Sequence, residues 1–457
     1  MSEIKFSNRY HLYQGLRKKH LNHDTTSLPF DCVVFMDKIH NLANAHNSIE
    51  DKIKIIDDLR DMSCDDKFYI PDSLLGSDDF IFLLIEIVSK YPKNVDMMRT
   101  LSWFLINCFD DERFRGKFTN RIKGIIEFFS ESDDEEIFSN YLCICYNISI
   151  DACLSNLLFE TKDFMNIKYY SKIQSSNQNL ETAFKMFNCI AQHVNNSSVW
   201  NLENLMLFSV DVLERCTKER NDDIMRSVLN FFSNYFIRIS EADEVRTFLR
   251  DLEDASFFEH LAKIVQLSLK TNHIYMIDIL LVLNNIFYIE QDSFLPNFYH
   301  YLFEIITTLC FELDNIQDES QFCCLIVIFY NSCERINNEC FKYWVEKRLF
   351  HKVFGLINSD NKWISRDIFE TIFVIISSLV KRMANAELIY LLNDFSVFFE
   401  RFYYFLTDED KDDYFKANVI EVMLFMYKNC ENCRQYEDFV NNSVEFNEVY
   451  KRICGHN

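Results

Sequence analysis

The sequence predicts an all-α fold of stacked helical repeats, and three observations predict it. Gly (6) and Pro (4) are scarce in a chain of 457 residues. Hairpins and α/β connections need both for their turns, so long helices joined by short polar loops fit better. Apolar residues make up 49% of the chain, with 45 Phe and 22 Tyr, so a large core can be buried. The third observation is helical spacing, as in Ile49, Ile53, Ile56 and Leu59, or Ile224, Val228, Phe231, Phe232 and Tyr235.

A repeat underlies this spacing. An apolar helix carrying Asn recurs at Asn107, Asn147, Asn188, Asn234, Asn285 and Asn331, with gaps of 40, 41, 46, 51 and 46 residues. The next helix in phase has Ser377 at that place, and the last has Asn429. A period of roughly 40–47 residues is the armadillo/HEAT signature, and its units stack into a superhelix with a long concave surface. The expectation is a right-handed armadillo solenoid of about eight to nine repeats.

Taken in order, the chain starts with a basic segment. Lys5, Arg9, Arg17, Lys18 and Lys19 face only Glu3 and Asp24, so residues 1–25 carry +3 and the remainder −26. A basic arm is expected over 1–45, repeats over 46–440 and a tail over 441–457. Short acidic stretches, "ESDDEE" (131–136) and "TDEDKDD" (407–413), separate helices and are expected to be solvated loops. Trp200, Trp344 and Trp363 fall outside the Asn register and read as packing or surface aromatics.

Charge and cysteine usage bound the function. A net charge of −23 argues against neutralising a phosphate backbone or docking on an anionic membrane, and favours a basic partner. The 16 Cys sit inside apolar periodic stretches, as at Cys143 and Cys145, and read as reduced, buried residues. The CxxC at Cys430–Cys433 has no second pair or His cluster near it, so no metal or other cofactor is expected. The N-terminus is polar and no apolar run reaches the roughly 18–20 residues that span a bilayer, so a soluble intracellular protein is expected. There is no Gly-rich phosphate loop, nucleophile elbow or H-E-x-x-H, so the chain is not expected to be an enzyme.

The chemistry-bearing stretch is "MRTLSWFLINCFDDE" (98–112). Trp103 and Asn107 lie one turn apart on one helical face. An Asn amide offers a donor and an acceptor to the backbone of an extended peptide. A neighbouring Trp gives a wall for the stem of Lys or Arg, with cation–π attraction of about 0.5–2 kcal/mol. Nearby acids take the charged tip.

These residues carry a family resemblance. "RTLSWFLIN" (99–107) resembles the W-x-x-x-N helix of importin-α (karyopherin-α) armadillo proteins. "NYLCICYNISID" (140–151) is similar to the next such helix, with Asn147 on the family's Asn and Asp151 on the Asp that pairs with the key lysine of a nuclear localisation signal. "AFKMFNCIA" (183–191) places Asn188 on the following Asn, with Phe184 at the Trp position. "NRYHLYQGLRKKHLNHD" (8–24) resembles the start of the segment that binds importin-β and folds back as a mimic of cargo. The other Trp positions hold Cys143, Asn230, Leu281, Val327, Phe373 and Phe425, a departure from the family pattern.

The resemblance implies a nuclear import adaptor. Basic signal peptides would bind at Trp103, Asn107, Asn147, Asp151, Phe184 and Asn188, and importin-β at Arg9, Arg17, Lys18 and Lys19. Direct nucleic-acid binding and membrane insertion are not expected. The chain would be monomeric or weakly self-associating, and would move between cytoplasm and nucleus. The alternative is an armadillo interaction scaffold with a partner outside import.

Overall fold

The computed structural model describes residues 30–44, 46–65, 67–75, 79–117, 128–159, 167–193, 203–240, 245–271, 274–287, 289, 296–316, 318–336, 338–356, 366–383, 385–408, 410–437, 443, 446–447 and 451. Among them there is no strand. No helix among them is long and apolar enough to cross a membrane. The chain divides into two compact units, residues 1–205 and 206–457.

The first unit holds α1 (Cys32–Leu42), α2 (Ile49–Ser63), α3 (Asp72–Leu75), α4 (Asp79–Lys90), α5 (Val95–Asp110), α6 (Glu112–Lys117), α7 (Glu135–Ser149), α8 (Ala152–Phe159), α9 (Ile167–Ile173) and α10 (Asn177–His193). Four long helices, α2, α5, α7 and α10, pack one on the next and form a row of inner helices. The others cover that row.

The second unit begins within α11 (Glu203–Glu219). It continues with α12 (Asp222–Ile239), α13 (Val245–Asp254), α14 (Phe257–Lys270), α15 (Met276–Ile286), α16 (Pro296–Phe311), α17 (Glu319–Arg335), α18 (Asn338–Glu346), α19 (Leu349–Gly355), α20 (Arg366–Arg382), α21 (Ala386–Asp394), α22 (Phe398–Leu406) and α23 (Asp413–Asn429). Here α12, α15, α17, α20 and α23 form the inner row, again each on the next. The two rows together give nine inner helices among the described residues, each carrying a position of the predicted register or its continuation.

Local chemistry explains where inner helices start. The side chains of Asn94, Asp134, Asn221, Asp318 and Asp412 accept from the backbone N–H three residues on, at 2.9, 3.1, 3.3, 2.9 and 2.7 Å. Ser48 and Asp51 form a reciprocal capping box at the start of α2. Each such cap stabilises its helix by about 1 kcal/mol. The acidic stretches therefore do more than face solvent: Asp134 and Asp412 begin α7 and α23. With glycine so scarce, Arg220, Ser256 and Arg348 adopt the left-handed conformation at helix boundaries, with φ of 57°, 57° and 60°.

Between the inner rows and their covering helices the core is aromatic. Trp344 is fully buried, stacks on Phe329 at 5.3 Å and donates through Nε1 to Thr307 Oγ1 at 2.9 Å. Its packing role is as read. Trp200 and Trp363 lie outside the described residues.

Two expectations need correction here. The arm expected over 1–45 ends too late. Residues 32–42 already form α1, which buries Phe35, Ile39 and Leu42 and packs on α2. Phe35 meets the Phe104 ring at 6.3 Å. The apolar face of α2 is also rotated: Ile56, Leu59 and Met62 are buried, while Ile49 is exposed.

Candidate peptide-binding groove

In the first unit, α2, α5 and α7 enclose an open groove of about 480 Å3. Trp103 forms its wall, half-buried on α5, with Ile53 of α2 facing the same space. Four carboxylates line it: Glu50, Asp57, Asp96 and Glu136. Three of these, Glu50, Asp96 and Glu136, occupy the second position of three successive inner helices. Acids there complement the positive end of each helix dipole, and here they also border the groove.

The basic residues of the groove are mostly engaged. Arg60 pairs with Asp57 at 2.9 Å and with Asp61 at 2.8 Å. Arg99 makes a two-pronged contact with Asp134, through Nε to Oδ1 at 3.2 Å and through Nη2 to Oδ2. The Arg99 guanidinium holds the Asp134 carboxyl below the ordinary carboxylate range. Glu136 takes the Trp103 indole N–H at 3.2 Å. Glu50 and Asp96 form no ion pair among the described residues, and neither does Lys54. The groove is an aromatic wall beside two carboxylates that form no ion pair among the described residues, with the Arg99 charge acting on Asp96 and Lys54 on the same lining.

Asn107 and Asn147 project from consecutive inner helices, both half-buried. Each uses its amide N–H on the preceding repeat. Asn107 Nδ2 donates to Ser63 Oγ at 2.8 Å, and Asn147 Nδ2 donates to the Ile106 carbonyl at 2.9 Å. Their carboxamide oxygens accept nothing within the described residues and stay available for a peptide N–H. Asp151 Oδ1 accepts from Cys153 and Leu154 N–H at 2.9 and 3.1 Å, so this residue caps α8. Its second oxygen makes no ion pair among the described residues.

Phe184 cannot serve as a wall. It is fully buried and meets Phe187 edge-on at 5.5 Å. On α10 the half-buried line runs through Glu181, Lys185, Asn188 and Gln192, so the residue one place later faces outward. That residue is Lys185, ion-paired to Glu181. Cys143, at the same register position of α7, is buried too. Asn188 is half-buried on that line. Arg9, Arg17, Lys18 and Lys19 lie outside the described residues.

The second unit differs at the corresponding place. Asp151 lies four residues beyond Asn147, and Arg335 lies four beyond Asn331. Arg335 donates to the carbonyls of Phe287 and Ile289 at the end of α15. Arg382, five beyond Ser377, donates to the carbonyls of Cys333 and Ile336, each at 2.8 Å, at the end of α17. Where the first unit offers carboxylates, these rungs carry guanidinium groups that cap the preceding inner helix.

Sequence reasoning missed the row Glu50, Asp96 and Glu136, and the Arg99 partner Asp134. The signal was present: an acid at the second position of α2, α5 and α7, two residues after the capping Ser48, Asn94 and Asp134.

No protein-family model matches the chain, and no curated protein matches it in sequence. Solved structures do match in shape. An engineered protein has a TM-score of 0.62 at 13% identity, over 92% of this chain and 98% of that one. A structure from a study of the phosphorylation switch between cadherin and beta-catenin has a TM-score of 0.61 at 11% identity, over 86% of this chain and 68% of that one. A designed armadillo repeat protein aligns over 55% of this chain with a TM-score of 0.42. The fold is an all-α armadillo-repeat solenoid.

Proposed function

We propose that the chain is a nuclear import adaptor that binds basic, extended signal peptides in the groove of its first unit and importin-β through its N-terminal arm. The observation that carries the peptide-binding part is Trp103 standing beside the unpaired carboxylates of Glu50 and Asp96. A lysine stem lies against the indole while its ammonium reaches the acids. The carboxamide oxygens of Asn107 and Asn147 take backbone N–H groups of the same peptide, and the second oxygen of Asp151 takes a further lysine. The basic segment at 8–24 and its likeness to the family's arm carry the import part.

The site is narrower than the sequence suggested. With Phe184 and Cys143 buried and Lys185 outward, the proposed basic-peptide site is limited to α2, α5, α7 and the Asp151 cap that follows α7. A scaffold reading with a non-import partner rests on the same groove and differs only in what the arm does. The cadherin and beta-catenin study named above concerns such an interaction in its own proteins.

Two measurements separate these readings. A fluorescent lysine-rich signal peptide is expected to bind the full chain and the chain lacking residues 1–29. Trp103→Ala and Asp151→Lys are each expected to weaken it by more than tenfold, about 1.4 kcal/mol or more. Absence of binding by the truncated chain overturns the groove. Capture of importin-β by residues 1–29 alone supports the adaptor; failure of that capture with intact peptide binding leaves the scaffold.

A further inference from the structure

A second groove lies in the second unit, away from its inner helices, where α14 packs on α16 and the end of α11 comes alongside. Its volume is about 600 Å3. Val265, Leu267 and Ile305 give it an apolar floor. Arg220, Lys263 and Lys270 line its rim, all exposed. None of the three forms an ion pair among the described residues. Two acids of the C-terminal half of α11 are held by basic residues of their own helix: Glu214 by Lys218 at 2.7 Å and Glu219 by Arg215 at 3.0 Å, with Lys263 close enough to add to the field on Glu214. Glu304 is the single acid of the lining.

This local balance reverses that of the whole chain, which has 47 basic against 70 acidic residues. Arg220 sits at φ 57°, at the left-handed turn that ends α11 beside the groove.

We propose that this groove docks an acidic, amphipathic segment of a partner protein. Charge complementarity selects the occupant: three exposed cations without an ion pair among the described residues, against the one acid Glu304, suit carboxylates flanking aliphatic side chains on an apolar floor. A nucleic acid is disfavoured, because the floor offers its phosphates nothing and the surrounding chain repels them. The site is independent of the Trp103 groove.

The probe is a labelled amphipathic peptide with Leu on one face and Glu on the other, measured by fluorescence anisotropy on the full chain. A version with Lys in place of Glu, and a single-stranded RNA, serve as comparisons. The Glu peptide is expected to bind, with affinity falling as salt rises. Lys263→Glu combined with Lys270→Glu should cut binding by tenfold or more, and Lys263→Gln with Lys270→Gln by less. Trp103→Ala should leave it unchanged. Circular dichroism and thermal melts check that each variant is folded. The proposal is overturned if the folded charge-reversed chain binds the Glu peptide as well as the native chain does, or if the Lys peptide or the RNA binds this groove better.

Discussion

Arg99 stands one turn before Trp103, and its guanidinium reaches the carboxylate that begins the next inner helix. The sequence placed Arg99, Trp103 and Asn107 on one face because helical spacing alone decides that. It could not name Asp134, which lies 35 residues on and meets Arg99 only after repeats stack. Phe184 shows the opposite failure. Its register position was right, but the outward line on α10 passes through the next residue, and spacing does not resolve a rotation of one position.

Asp278 gives a prediction at this scale. It is buried near the start of α15, with Arg226 at 4.0 Å. Burial pushes its carboxyl up to about 6, with Arg226 pulling the other way. The native chain thus holds a proton that the unfolded chain has released between the ordinary carboxyl range and about 6. Stability from this group falls as pH rises across that window. Asp278→Asn should stabilise the protein near neutral pH by up to about 3 kcal/mol, at about 1.4 kcal/mol for each pKa unit, and should give no gain near pH 4. Denaturant midpoints at both pH values check this, and an equal effect at both would refute it.

At the scale of elements, the recurring Asn is first a staple between inner helices. Asn147 donates to Ile106, the residue before Asn107; Asn285 donates to Ser233, the residue before Asn234, at 2.9 Å to its carbonyl and 2.7 Å to its hydroxyl. The register was legible because inner helices stack at a near-constant spacing, and the same donor geometry recurs at Asn147 and Asn285. The recipient was not, since an amide N–H suits a ligand or a neighbouring helix equally well. Asn285 is buried, so Asn285→Ala leaves polar groups of Ser233 without their donor. The expected cost is about 1–3 kcal/mol. Asn429 is exposed and donates to Phe425 of its own helix at 2.8 Å, so Asn429→Ala should change stability by less than about 0.5 kcal/mol. Urea unfolding of the two variants tests the contrast; equal losses would mean that the cross-repeat bond is not what Asn285 contributes.

Charge is the property that belongs to the whole molecule. Residues 1–29 hold all five basic groups of the N-terminal segment against two acids, while the rest of the chain carries −26. Composition made this split legible, and the structure places the usable cut: one at residue 45 would remove α1 and uncover the Phe104 ring that Phe35 meets, whereas one after residue 29 leaves α1 whole. A tethered basic arm competes for an acidic groove at high effective concentration even when its own affinity is weak. Removing residues 1–29 is therefore expected to raise the affinity of a lysine-rich peptide several-fold at low ionic strength. Added salt screens exposed charges over about 8–10 Å at physiological strength and over about 3 Å at 1 M, so the gain should shrink as salt rises. Titrating the labelled peptide against both chains across a salt series measures it. Equal affinities at every salt concentration would mean that the arm does not occupy the Trp103 groove, and a gain that persists at high salt would mean that apolar contacts rather than charge hold it there.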